Sequence, residues 1–194
     1  MEIILMKNYA RFSGIVFGAV MLLLALAITA ETVLRKLFSF SLGGLDELGG
    51  YAMAVCAPLA FTVALIERAH IRISIFQVKM GVRAQAVTNA LAMASLGLLS
   101  AYLLYFTTIT LLDTQSYQSV AQTPWATPLV YPQAFWLLAM SVFTVAALVL
   151  CWQACQLLWH GDWAMLNQRF GADTVAEELK AELGDLAKRE ASQS

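Results

Sequence analysis

Charge is scarce in this sequence. Asp, Glu, Lys and Arg make up 13% of its 194 residues, against 60% hydrophobic residues and a mean hydropathy of +0.69. Soluble domains carry about 25% charged residues, because a small globule cannot hide so much apolar material from water. The shortage excludes an ordinary water-soluble globule and makes lipid the solvent for most of the chain. Histidine is nearly missing, and His70 and His160 both fall outside the apolar runs. That disfavours a four-helix haem protein, whose axial ligands sit inside the bundle. Cys56, Cys151 and Cys155 lie within apolar runs and show no metal-ligand spacing, so they read as small hydrophobic filler. A basic block with base-stacking aromatics is lacking, which sets nucleic acid aside. A phosphate-binding loop, a nucleophile elbow and a paired-histidine motif are lacking too. The sequence therefore predicts no catalytic residue, no metal and no cofactor.

What is there is four long apolar runs, about 12–34, 45–66, 85–112 and 133–159. A bilayer span needs roughly 20 such residues. Lipid offers backbone polar groups no partner, so each run is expected to be a helix. The third run has about 28 residues, roughly 42 Å at about 1.5 Å each, and should tilt or protrude from a core of about 30 Å. The expected fold class is an all-α integral membrane protein. Its parts are an N-terminal segment (1–11), a four-helix membrane domain (12–160) and a tail (161–194). Lys7 and Arg11 before an apolar run resemble a signal peptide. The run is longer than a typical signal core of about 7–15 residues, so it is read as a span.

Cations set the orientation. With both termini in the cytoplasm, all of the twelve Lys and Arg residues except Arg35 and Lys36 lie inside. The positive-inside rule selects that arrangement. The connector around "RKLFSFSLGGLDE" is then external. Asp46 and Glu47 open the second helix, where free N–H groups favour anions. Arg35 and Lys36 close the first, where cations are favoured. Two readings stand: helix capping with interfacial anchoring, or an Arg35–Glu47 pair that orders the hairpin. Glu31, one turn before Arg35, is placed at the interface by an i, i+4 contact.

Small residues at Gly14–Gly18, Gly50–Ala54, Ala60–Ala64, Ala86–Ala90–Ala94 and Gly97–Ala101 have the spacing that lets membrane helices approach closely. Pro58 falls inside the second run and is expected to kink it. Trp125 and Trp136 flank the outer end of the fourth run, and Trp152, Trp159 and Trp163 its inner end, as in an interfacial belt. Pro124, Pro128 and Pro132 predict a stiff, extended third connector. The second connector carries Arg68, Arg72, Lys79 and Arg83 beside an apolar stripe, which suits the cytoplasmic membrane surface. In the tail, Thr174 and Glu177 form a capping box ahead of Val175, Leu179, Leu183 and Leu186, a short amphipathic helix.

The stretch 32–76 resembles the small membrane subunit of tripartite ATP-independent periplasmic (TRAP) transporters. The match is Arg35 with Phe38 near the end of the first helix, Ser41, the acidic pair Asp46–Glu47, and the "HIRI" segment from His70 to Ile73. The four-span plan and the proline-containing third connector extend the likeness over roughly 12–160. Two departures stand out: Gly44 and Leu45 occupy the place where relatives often have Trp, and Glu31 the place of an Asn or Asp. The resemblance implies a non-catalytic scaffold for a large permease subunit in a sodium-driven importer of organic acids. A periplasmic solute-binding protein docks on such a complex. By the same likeness Arg35, Phe38, Ser41, Asp46, Glu47 and Trp125 would organise the external side, and Arg68, His70 and Arg72 the cytoplasmic side. The competing expectation is a stand-alone four-span membrane interaction protein.

Overall fold

The computed structural model describes residues 2–41, 43–66 and 77–171, with 183, 184 and 186 in the tail; for 2–10, 46 and 78 only the backbone is described. Arg68, His70, Arg72 and the capping box at Thr174 lie outside the described residues. Leu183 and Leu186 are helical and exposed.

Among the described residues the regular elements are helices: α1 (Glu2–Phe38), α2 (Leu45–Ile66), α3 (Val82–Tyr117), α4 (Val130–His160) and α5 (Trp163–Phe170), with a 3₁₀ turn at Gln77–Lys79. Four of them are long and apolar enough to cross a membrane: Arg11–Phe38, Glu47–Ile66, Val82–Tyr117 and Val130–His160. α3 has 36 residues, about 54 Å of helix. It outruns the apolar stretch at both ends, because helix propensity continues through the polar flanks. α2 runs unbroken through Pro58, whose carbonyl accepts the Thr62 hydroxyl at 2.9 Å.

The helix ends follow local chemistry. Arg35 and Lys36 occupy the last turn of α1, and the chain then turns at Ser39 with φ 51°. α3 stops the same way at Gln118, φ 49°, while Ser119 N–H caps the Thr114 carbonyl at 3.1 Å. α4 ends at Gly161, φ 73°, where Asp162 N–H reaches back to the Leu157 carbonyl at 3.1 Å. This is the left-handed stop that glycine favours.

Contacts divide the chain into two compact units, residues 1–70 with 94–151 and residues 71–93 with 152–194. In the first, α3 and α4 pack through small and hydroxyl residues. Gly97 faces Cys151, and the Thr144 hydroxyl donates to the Ser100 carbonyl at 3.1 Å. Ala147 and Ser100 are fully buried there. Phe61 of α2 packs on Phe143 of α4 with ring centroids 5.9 Å apart. By contrast Gly14, Gly18 and Gly50 have open space where a Cβ would stand. The close approach expected at Gly14–Gly18 is not used among the described residues.

The second unit is organised by α5, which the sequence did not predict. Asp162 caps it by accepting from Met165 N–H at 3.2 Å, and Leu166 and Phe170 are buried. Asn167 then ties it to α3. Its amide donates to the Val82 carbonyl at 2.9 Å, and its oxygen accepts from Asn89 at 3.0 Å. Asn89 in turn accepts from Gln77 at 2.6 Å, while Gln85 caps the Gln77 and Met80 carbonyls. Asn167→Ala removes two of these bonds and leaves Asn89 unpaired on one side. It should cost about 2–3 kcal/mol. Thermal unfolding in detergent checks this, with accelerated proteolysis near Arg169 as the second readout.

Candidate functional site

The first and third connectors meet, and charged side chains gather where they do. α1 delivers Glu31 and Arg35 one turn apart on the same face. The Arg35 Nη2 donates to Glu31 Oε1 at 2.5 Å and to Ser41 Oγ at 3.2 Å. Ser41 Oγ donates to the same Glu31 oxygen at 2.8 Å and accepts from Gly43 N–H at 3.2 Å. Ser41 thus staples the connector back onto the helix it has just left. Glu31 is buried although it sits in an apolar helix, because Arg35 and Ser41 compensate its charge.

Glu47 belongs to a neighbouring cluster. Its N–H caps the Gly44 carbonyl at 3.0 Å in the first turn of α2. Its buried carboxylate accepts from the Tyr51 hydroxyl at 2.9 Å. Tyr51 also meets the Thr127 side chain, on the third connector. The other carboxylate oxygens, Glu31 Oε2 and Glu47 Oε1, are buried and have no donor among the described residues.

The third connector is not extended. It folds back on itself through an antiparallel bridge between Val120 and Pro128, with Ala121 N–H on the Thr127 carbonyl at 2.9 Å and Leu129 N–H on the Ser119 carbonyl at 3.0 Å. The tip is a β-turn from Thr123 to Ala126, closed at 3.0 Å. Pro124 stands second in that turn, where its fixed φ is an advantage and no N–H is needed. Pro132 falls in the first turn of α4, where N–H groups have no helical partner. The prolines therefore stiffen a fold-back rather than an extended strap.

Trp125, at the tip, closes the arrangement. Its indole lies on Gly44 so tightly that a Cβ there would be 2.6 Å from the ring, and Pro124 lies on Gly43. Trp125 thus reaches from the third connector to the glycine just ahead of the acidic pair.

The structure thus brings together Arg35, Ser41, Glu47 and Trp125 of the residues singled out in the sequence. Arg35 pairs with Glu31, as the i, i+4 reading has it, and not with Glu47. Phe38 stands apart, 70% exposed. Asp46 sits in the first turn of α2, and its side chain is not among those described. Sequence reasoning missed Gly44, Tyr51 and Thr127. Tyr51 was one helical turn from Glu47, a signal available at i, i+4. The Gly43–Gly44 pair was a turn signal, but nothing local announced which ring would cover it. Among the described residues no group of three or more His, Cys, Asp or Glu side chains is placed to hold a metal.

Four helices of spanning length and apolarity define a multi-span helical membrane component. More narrowly, residues 24–157 match the family model of the DctQ component of tripartite ATP-independent periplasmic transporters, and the chain belongs to that family. It is a TRAP transporter small membrane component. No curated protein and no solved structure matches it.

Proposed function

We propose that this chain is the non-catalytic scaffold subunit of a sodium-coupled importer of an organic acid. A periplasmic binding protein delivers the acid, and a large permease subunit carries it across the bacterial inner membrane. Both termini are cytoplasmic in this reading, and the Gly44–Trp125 face is periplasmic. The observation that carries it is the interlocking of two connectors into one face, held by Trp125 on Gly44 and by buried, hydrogen-bonded carboxylates. A fixed brace needs such a face. Lys79, Arg83 and Arg169 lie on segments that this reading assigns to the cytoplasm, as the positive-inside rule prefers. Arg68, His70 and Arg72 would fix that side, and Arg35, Phe38, Ser41, Asp46, Glu47 and Trp125 the periplasmic one.

Glu47→Ala removes a charged hydrogen bond worth about 1.5–3 kcal/mol and frees Tyr51 from the connector. The expected result is less large subunit recovered with the tagged small one, and proportionally lower solute uptake in proteoliposomes. Wild-type recovery and uptake would remove Glu47 from the brace. Affinity purification of the wild-type chain decides the larger question. A much larger hydrophobic protein at constant stoichiometry supports the scaffold, and a monodisperse chain alone supports the stand-alone alternative.

A further inference from the structure

At the C-terminal end of α1 lies a cleft of about 170 Å³, lined by Ile28, Glu31, Thr32, Arg35 and Leu45. We propose that it binds the phosphoethanolamine headgroup of a bilayer lipid. The inference uses only the membrane-spanning reading of α1 and does not depend on the transporter assignment.

The cleft is chemically two-sided. Glu31, with 8% of its side chain exposed, uses Oε1 for Arg35 and Ser41, while Oε2 meets no donor. A buried carboxylate oxygen left that way is costly, and an N–H donor in the cleft would satisfy it. Arg35 is 64% exposed and spends only Nη2 on Glu31 and Ser41. Its Nη1 and Nε donors are left for an anion. One unsatisfied acceptor beside one set of spare cationic donors matches a zwitterion with a phosphate and a primary ammonium.

Depth and neighbours favour a lipid as the source. The span of α1 closes at Phe38, three residues beyond Arg35. At about 1.5 Å per residue that puts the guanidinium at the headgroup layer. Ile28 in the cleft is exposed, and Leu24, one turn further along the same face of α1, is half-buried, so an acyl chain can run down that face. The same chemistry discriminates among lipids. A choline headgroup has no N–H for Glu31 Oε2, and a glycerol headgroup offers no cation.

The test is native mass spectrometry of the full chain, purified in detergent and equilibrated with equal amounts of phosphatidylethanolamine, phosphatidylcholine and phosphatidylglycerol of one acyl composition. The wild type should retain phosphatidylethanolamine over phosphatidylcholine by about tenfold, the factor expected of one charge-assisted hydrogen bond. Glu31→Gln, which keeps the shape, should bring the two to parity. Equal retention by the wild type, or an unchanged preference in Glu31→Gln, overturns the proposal. Should that variant fail to fold, the wild type still decides through its thermal shift, which must be larger with phosphatidylethanolamine than with phosphatidylcholine. Soluble phosphoethanolamine at equal concentration should displace no lipid, and displacement would overturn the lipid assignment.

Discussion

Gly44→Ala should unfold the connector face and lower the apparent Tm of the purified chain by on the order of 10 °C. Two costs combine. Gly44 has φ +129°, a conformation L residues rarely adopt, and its Cβ would lie 2.6 Å from the Trp125 ring. Backbone strain of this kind costs about 1–3 kcal/mol, and forcing a methyl into a closed contact about 1–3 kcal/mol more. Neither neighbour can yield easily. Trp125 is held by the turn between Thr123 and Ala126, and Gly44 by the cap it provides for Glu47 N–H. The double-mutant cycle separates the two terms. In a Trp125→Ala background the ring is gone and only the backbone cost is left, so Gly44→Ala should then be milder. Fully additive effects would show that Trp125 does not rest on Gly44.

Gly97→Leu is expected to be about as damaging, and for a different reason. Gly97 is helical, and a Cβ on it would be 3.2 Å from Cys151 Cβ and 3.5 Å from its Sγ. A few tenths of an ångström of adjustment would admit alanine, but the remaining carbons of leucine need space that α4 occupies. Separating the helices also breaks the bond from the Thr144 hydroxyl to the Ser100 carbonyl. In lipid, packing and such hydrogen bonds carry helix association, because apolar burial adds little between helices. The expected loss is about 2–4 kcal/mol, measured as unfolding of the purified chain in detergent. Gly14→Leu is the control, since nothing within 4 Å of its Cβ position resists the larger residue. It should leave the isolated chain's Tm unchanged. Any effect of Gly14→Leu must then appear in the recovery of a partner subunit.

These two positions show what was legible. Gly97 was singled out in the sequence by its spacing from Ala101, and the structure supplies its neighbour, Cys151. The same pattern at Gly14–Gly18 has no partner among the described residues. Spacing marks a surface capable of close approach and says nothing about which helix takes it. Glu31 and Arg35 could be paired from sequence because four residues on a helix is a fixed distance. Arg35 and Glu47 could not be decided, because they are joined by a non-helical connector whose path is set by Ser41, Gly43 and Gly44 together. α5 went unseen for lack of length. "WAMLNQRF" shows one apolar i, i+4 pair, Leu166 and Phe170, too little to establish a period, and its fixing contact comes from residues near position 82.

The sequence by itself determined the solvent and the four long helices. A chain with so little charge and four runs of spanning length has to bury its backbone polar groups in helices, since hydrocarbon offers them nothing else. Tertiary structure alone decided which side chains meet across the connectors: Trp125 on Gly44, Thr127 on Tyr51, Ser41 on Glu31. Helix formation is driven by bonds a few residues apart and is written locally. Those contacts join residues up to about eighty positions apart, and they exist only once the helices have fixed where each connector begins and ends.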